Sequence, residues 1–266
     1  MNELDQGIQQ TATAGAEILS IGGKMHDVAR YVHEHAPDYV IDPDHEHEFT
    51  LSAYLEIAKR TLWDEHTDPQ GTLELLIYLN YDTERADEIV EIGRGLIHDE
   101  RFVRRGQRVL RHAVDMYSGA YQISHDHGSE SPPDRALFLT GNYFDVLGLQ
   151  VESGDAEGAR HTALGIAPHL IEVADELDDT ADSEVRTRLD TSLSYVATYL
   201  GDLGTDTVQQ LVRKIQNEQV RNAITQTLIE RFSKNLLAAG QVDDAVAVLL
   251  AKSLKPMLYE EKPPLY

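Results

Sequence analysis

The sequence predicts an all-α fold of about eleven helices stacked as antiparallel hairpins. Three observations predict it. Apolar residues recur at the helical period along most of the chain,. Capping residues and glycines punctuate those runs at short intervals, so that neighbouring helices must turn back on one another. No stretch shows the alternation of a half-buried strand.

Taken in order, the segment 35–48, "HAPDYVIDPDHEHE", combines prolines with acids and histidines and reads as an interruption,. Leu51, Tyr54, Leu55, Ala58 and Leu62 follow offsets that gather on one helix face. Asp68-Pro69 pairs an N-cap with proline at the first helical position, and Thr83 and Asp99 stand as caps before the next two apolar runs. A second interruption, "SHDHGSESPPD" at 124–134, is rich in turn formers and is read as the joint between an N-terminal helical half, 1–123, and a C-terminal half, 134–255. In the second half "ELDDTADSE" at 176–184 is a polar connection. Ser183 caps a run with Val185, Leu189, Leu193, Val196 and Leu200 on one face, and Thr205 caps the segment after it. Val220, Ile224, Leu228 and Phe232 form the last such stripe. Gly154, Gly204 and Gly240 each follow a helical segment, as helix-ending glycines do. Residues 256–266 contain three prolines and are read as an extended tail,.

The stretch "YFDVLGLQVESGDAEGARHTALGIAP" resembles a tetratricopeptide unit through Phe144, Leu147, Gly148, Val151, Gly154, Asp155 and Ala159,. "TLIERFSKNLLAAGQVDDAVAVLLAKSLKP" is similar through Gly240, Ala245 and Pro256. The resemblance covers about 142–256 and implies a right-handed solenoid whose concave face binds peptides or other proteins. The physics agrees with such a layout: one helix pair cannot bury its apolar stripe alone, so each pair leans on its neighbours.

Charge bounds the partners. The formal net charge is −23, with 46 acidic residues scattered along the chain. Charge of that size disfavours anionic membranes and nucleic acid at low ionic strength. In a salt-rich medium screening shortens electrostatics to about 3 Å at 1 M, and local basic contacts become available again. An acidic, salt-adapted cytoplasmic protein is the expectation: no apolar run reaches membrane-spanning length, and the polar, acidic "MNELDQGIQQ" lacks the character of a secretory leader. There is no cysteine, so sulfur nucleophiles, disulfides and thiolate metal sites are excluded,.

Against this background "DERFVRRGQRVLRHAVDMY", residues 99–117, places five arginines within eleven positions. On a helix Arg101, Arg104, Arg105, Arg108 and Arg111 share a sector of roughly 120°, opposite Phe102, Val103, Val109, Leu110, Ala113, Val114 and Tyr117. Three readings follow. The arginines could pair internally with Glu84, Glu88 and Glu91 of the preceding helix; they could meet an acidic partner protein or a second copy of this chain; or they could bind phosphate or nucleic acid, a reading weakened by the lack of aromatic residues in the stripe. The histidine-rich loops support an alternative, a metal-binding protein or metal-dependent hydrolase using His45, His47, His125 and His127. No H-E-x-x-H, Walker or G-x-S-x-G signature is present, so no catalytic residue is singled out and no cofactor is implied. The leading expectation is a protein-binding scaffold or adaptor.

Overall fold

A computed structural model describes residues 3–35, 43–67, 69–76, 83–126, 130–177, 182–201 and 206–241. All regular structure among them is helical. The elements are α1 (Glu3–Ser20), α2 (Met25–Glu34), α3 (Pro43–Thr61), α4 (Pro69–Leu76), α5 (Thr83–Ile97), α6 (Val103–Asp126), α7 (Pro132–Phe138), α8 (Phe144–Glu152), α9 (Ala156–Glu176), α10 (Ser183–Leu200), α11 (Asp206–Lys214) and α12 (Glu218–Ala238). A π-helical turn, Leu139–Tyr143, joins α7 to α8 without a break. With those three segments taken as one run, the described residues form eleven helical runs. The chain divides into two compact units, one of residues 1–129 with 145–159 and the other of 130–144 with 160–266.

In the first unit the helices alternate in direction and stack in a row. The hairpin of α5 and α6 shows how: Gly93 lies against Leu110, Gly106 against Ile97, and the Tyr117 hydroxyl donates to Asp87, so rising numbers on one helix meet falling numbers on the other. Alternate helices are parallel and are joined by polar rungs. Gln9 of α1 reaches Glu56 of α3 at 3.1 Å and Arg60 reaches Thr13 at 2.8 Å. Arg85 of α5 pairs with Glu48 of α3, and Lys59 with Glu88 at 3.0 Å. Arg94 of α5 meets Asp145 at 2.6 Å, and His98 meets Glu152 at 3.1 Å. Successive rungs join residues 47, 37 and 51 positions apart, so the structural repeat has no fixed sequence period.

Of the three apolar stripes read outside the arginine segment, two are buried. Leu51, Tyr54, Leu55, Ala58 and Leu62 are all buried, as are Val185, Leu189, Leu193, Val196 and Leu200. Burial of each large apolar side chain contributes about 1.5–3 kcal/mol. On α12, Val220, Ile224 and Leu228 are only half-buried and Phe232 is exposed. A period identifies the apolar face of a helix and does not supply what covers it; residues 242–266 lie outside the description.

In the second unit Asp190 of α10 ties the next hairpin in place. Its carboxylate accepts the backbone N–H groups of Gln216 at 2.9 Å and Asn217 at 2.8 Å, just where α12 begins. Asn217 then caps α12 through its side chain, accepting from Gln219 and Val220. Arg231 of α12 donates to the Thr198 carbonyl near the end of α10, so α10 and α12 run parallel with α11 between them in sequence.

Several boundaries differ from the sequence reading for local reasons. The interruption at 35–48 is shorter than expected, because α3 already begins at Pro43, a residue suited to a first helical turn,. The expected joint at 124–134 also shrinks, since α6 continues to Asp126 and α7 starts at Pro132. Asp182, not Ser183, caps α10 by accepting from the Glu184 N–H at 2.7 Å. Asp99 shapes the turn ahead of α6, accepting the Arg101 N–H, and does not cap the helix itself. Gly154 and Gly240 adopt φ of 74° and 79°, the left-handed conformation that ends helices at glycine,. Asp68, Gly204 and Thr205, the other expected punctuation, lie outside the described residues.

Candidate partner-binding surface

The face of α6 opposite its buried stripe carries the arginines. Phe102, Val109, Leu110, Ala113, Val114 and Tyr117 are buried as expected, whereas Val103, at the first position of the helix, is only half-buried. Because α6 starts at Val103, Arg101 lies in the preceding turn and the other four stand on the helix. They divide by what holds them.

Arg105 turns toward the loop between α3 and α4. Its guanidinium donates to three carbonyls, of Leu62 at 3.1 Å, Asp64 at 2.7 Å and Thr67 at 3.0 Å. The loop is further ordered by the Asp64 carboxylate, which accepts from the Thr67 hydroxyl at 2.6 Å and the His66 N–H at 3.0 Å; these bonds hold the Asp64 carboxyl below its ordinary value,. Arg101 donates to Asp99 and Glu65, each at 2.7 Å, and Asp99 is held below the usual carboxylate range by that same arginine. Both guanidinium groups lie over the Phe102 ring, at 5.0 and 5.2 Å, and Trp63 meets Phe102 edge-on at 5.7 Å,.

Arg111 turns the other way, toward the junction of α8 and α9. It grips Asp155 through two hydrogen bonds, 2.9 Å from Nε and 2.5 Å from a terminal nitrogen, and reaches Glu157 at 3.2 Å. Asp155 also accepts the Gly158 N–H at 3.0 Å and so caps α9,. Burial pushes the Asp155 carboxyl up, but the Arg111 bonds and the Gly158 N–H outweigh it, and the group sits below its ordinary value of 3.8,. Beside Arg111, Gln107 donates to the Ser153 carbonyl at 2.9 Å.

Arg104 and Arg108 remain. They stand between these two flanks, one helical turn apart and exposed, and neither forms an ion pair or hydrogen bond with any described residue. The acids expected to neutralise the stripe are engaged elsewhere: Glu88 pairs with Lys59 and Arg85, and Glu91 with Arg94 at 3.2 Å, while the Glu84 side chain is outside the description. The reason is rotational. In the α5–α6 hairpin the glycine-lined seam faces inward, so the acids of α5 and the arginines of α6 do not share a face.

Among the proposed metal ligands, His125 lies on α6 with its ring stacked over Tyr121 at 6.2 Å, and not in a loop. The segment holding His45 and His47 is helical, with their side chains outside the description, as is His127 altogether. Among the described residues no group of three or more His, Asp or Glu is placed to hold a metal ion. No described helix is long and apolar enough to cross a membrane.

An open cleft of about 350 Å³ lies between α1, α3 and α5. Its charged floor is the rung network of Glu56, Lys59, Arg85 and Glu88, in which each charge meets an opposite one. That closure makes it a seam between helices. Sequence reasoning did not find this network or Asp190, because both depend on which helices become neighbours.

No family model matches the chain, and no curated protein matches it. Among solved structures it is similar to one described as a circular tandem repeat protein with novel repeat topology and enhanced subunit contact surfaces. The identity is 17%, the TM-score 0.35, and the match covers 92% of this chain and 54% of that one, so the chain spans about half the length of that structure.

Proposed function

We propose that the chain is a protein-binding scaffold or adaptor that engages a short acidic segment of a partner protein through Arg104 and Arg108. The observation that carries the reading is the exposure of these two guanidinium groups, which have no partner among the described residues, in a chain of net charge −23. Acids are abundant, yet the other three arginines of the stripe are committed and these two are left without a partner among the described residues. The flanks limit what fits. Glu65 and Asp99 lie toward Arg101, and Asp155 and Glu157 toward Arg111. A long polyanion crossing α6 meets these carboxylates, whereas two carboxylates spaced like Arg104 and Arg108, about 5–6 Å apart at Cβ, fit between them.

The test is quantitative recovery of partners from native extract at its own salt concentration, with wild-type and Arg104→Glu/Arg108→Glu bait compared. Exposed pairs contribute about 0.2–1 kcal/mol each, and reversal adds repulsion, so about a tenfold loss of one or a few proteins is expected. An unchanged set of recovered proteins removes the proposal. Loss of retention on immobilised single-stranded nucleic acid, with protein partners unchanged, replaces it with phosphate recognition.

The same charge leads to a second expectation, for a salt-rich working medium. Repulsion among unscreened carboxylates destabilises the compact state. The thermal midpoint is expected to rise when KCl is raised from about 0.1 M to about 2 M, as the screening length falls from about 10 Å toward 3 Å or less. A midpoint that falls across that range contradicts the salt-adapted reading.

A further inference from the structure

Trp63 is the only tryptophan in the chain, and it is 41% exposed. Exposure of one large ring is ordinary in itself. What sets this ring apart is how it is held and what stands beside it. Trp63 lies in the loop between α3 and α4, and the carbonyls on either side of it, of Leu62 and Asp64, both accept from the Arg105 guanidinium, at 3.1 and 2.7 Å. The indole itself is fixed by two contacts. It meets the buried Phe102 ring edge-on at 5.7 Å, and it lies so close to Gly95 of α5 that a Cβ there would meet Cζ2 at 2.9 Å. A ring held in this way has little side-chain freedom left to lose when something covers its open part.

The arginine stripe is its neighbour. Arg104 stands directly before Arg105 in the chain, and Arg108 follows Arg104 by one helical turn, about 6 Å along the axis,. The same end of α6 carries the Glu65 and Asp99 carboxylates, both bound by Arg101. A further acid in a docked segment is repelled there, whereas an apolar side chain is not. The surface therefore sorts a segment by position, with carboxylates over Arg104 and Arg108 and an apolar residue at the end where the indole is open. Salt sharpens the division of labour. Exposed ion pairs are weak and are screened as ionic strength rises, while burial of an aromatic ring keeps its strength. Tryptophan and arginine are also the residue types that most often carry the binding energy of an interface.

We infer that Trp63 is the apolar anchor of the surface formed by Arg104 and Arg108. The segment it binds carries an apolar or aromatic side chain within about five residues of its acidic pair, a span of about 16 Å in an extended chain. This rests on the reading of the two arginines as a partner site, and it adds what the partner presents beside its acids.

The experiment selects random twelve-residue peptides displayed on phage against the full chain, with the Arg104→Glu/Arg108→Glu protein used to remove peptides that bind elsewhere. Enriched sequences are expected to share two acidic residues and an apolar or aromatic one at a fixed offset from them. Binding of an enriched peptide free of tryptophan is expected to move the Trp63 emission to shorter wavelength, as water leaves the indole. By titration calorimetry the affinity is expected to fall about tenfold in Trp63→Ala and to be largely kept in Trp63→Phe, which leaves a ring against Gly95; circular dichroism confirms that each chain is folded. Selection against Trp63→Ala is expected to return the acidic pair without the apolar residue. Acidic peptides with no fixed apolar position overturn the inference and leave the arginine reading standing, as does a complex that leaves the Trp63 emission unmoved or that Trp63→Ala forms as tightly as wild type. Enriched peptides without acidic residues, or an empty selection, overturn both.

Discussion

Asp155→Ala is expected to destabilise the first unit by about 2–4 kcal/mol, measured as a shift in urea midpoint at neutral pH. Two losses combine. The N-cap of α9 disappears, at about 1 kcal/mol, together with the charge-assisted bonds from Arg111, at about 1.5–3 kcal/mol,. Only 3% of the Asp155 side chain is exposed, whereas Arg111 is 40% exposed and is hydrated once its partner is gone. Arg111→Ala is the harsher half of the comparison in mechanism, because it leaves a buried carboxylate with the Gly158 N–H as its one remaining described donor. The pH dependence has a definite sign. Since the native carboxyl lies below its ordinary value of 3.8, its contribution is fully present above that value and is lost as pH falls through the lowered native one,. The stability difference between wild type and Asp155→Asn should therefore shrink in acid below pH 3.8. A difference that grows there contradicts the assignment.

Gly106→Ala is expected to cost about 2 kcal/mol and to separate α5 from α6. A Cβ at Gly106 would meet Ile97 Cγ2 at 2.7 Å, the Ile97 backbone nitrogen at 2.9 Å and the Gly93 carbonyl oxygen at 3.0 Å. Two of these atoms belong to backbone and cannot rotate away. Overpacking costs about 1–3 kcal/mol and more where backbone must move, against about 1 kcal/mol gained from alanine over glycine in a helix. Gly148→Ala provides the opposite case. Gly148 is exposed on α8 and a Cβ there meets nothing within 4 Å, so the helical gain stands alone and the variant should be more stable by up to about 1 kcal/mol,. Chemical denaturation of the two variants should move the midpoint in opposite directions. A common direction would sink the close-packed seam as the explanation.

Gly148 also marks how far the tetratricopeptide resemblance extends in physical terms. The stretch that carries it does form a helix, a turn through Gly154 and a second helix. Its glycine is not the point of closest helix approach, a role taken here by Gly106 and Gly93, which no motif flagged. Within the first unit, rungs of 47, 37 and 51 residues show that hairpins of unequal length stack by the same rule. Unequal lengths leave the packing logic intact and erase the sequence period.

Sequence alone determined the helices, most of their buried faces and the local stops at Gly154 and Gly240, because helical period, capping and left-handed glycine are properties of a few neighbouring residues. It also located the arginine stripe. Only tertiary structure decided which arginine does what. Arg105 meets a loop some 40 residues away and Arg111 a helix start 44 residues away, while Arg104 and Arg108, identical in type and periodic on the same helix, are left without a described partner. The difference lies in the neighbours. A side chain's partner is set by the elements its helix packs against, and no local pattern encodes that choice.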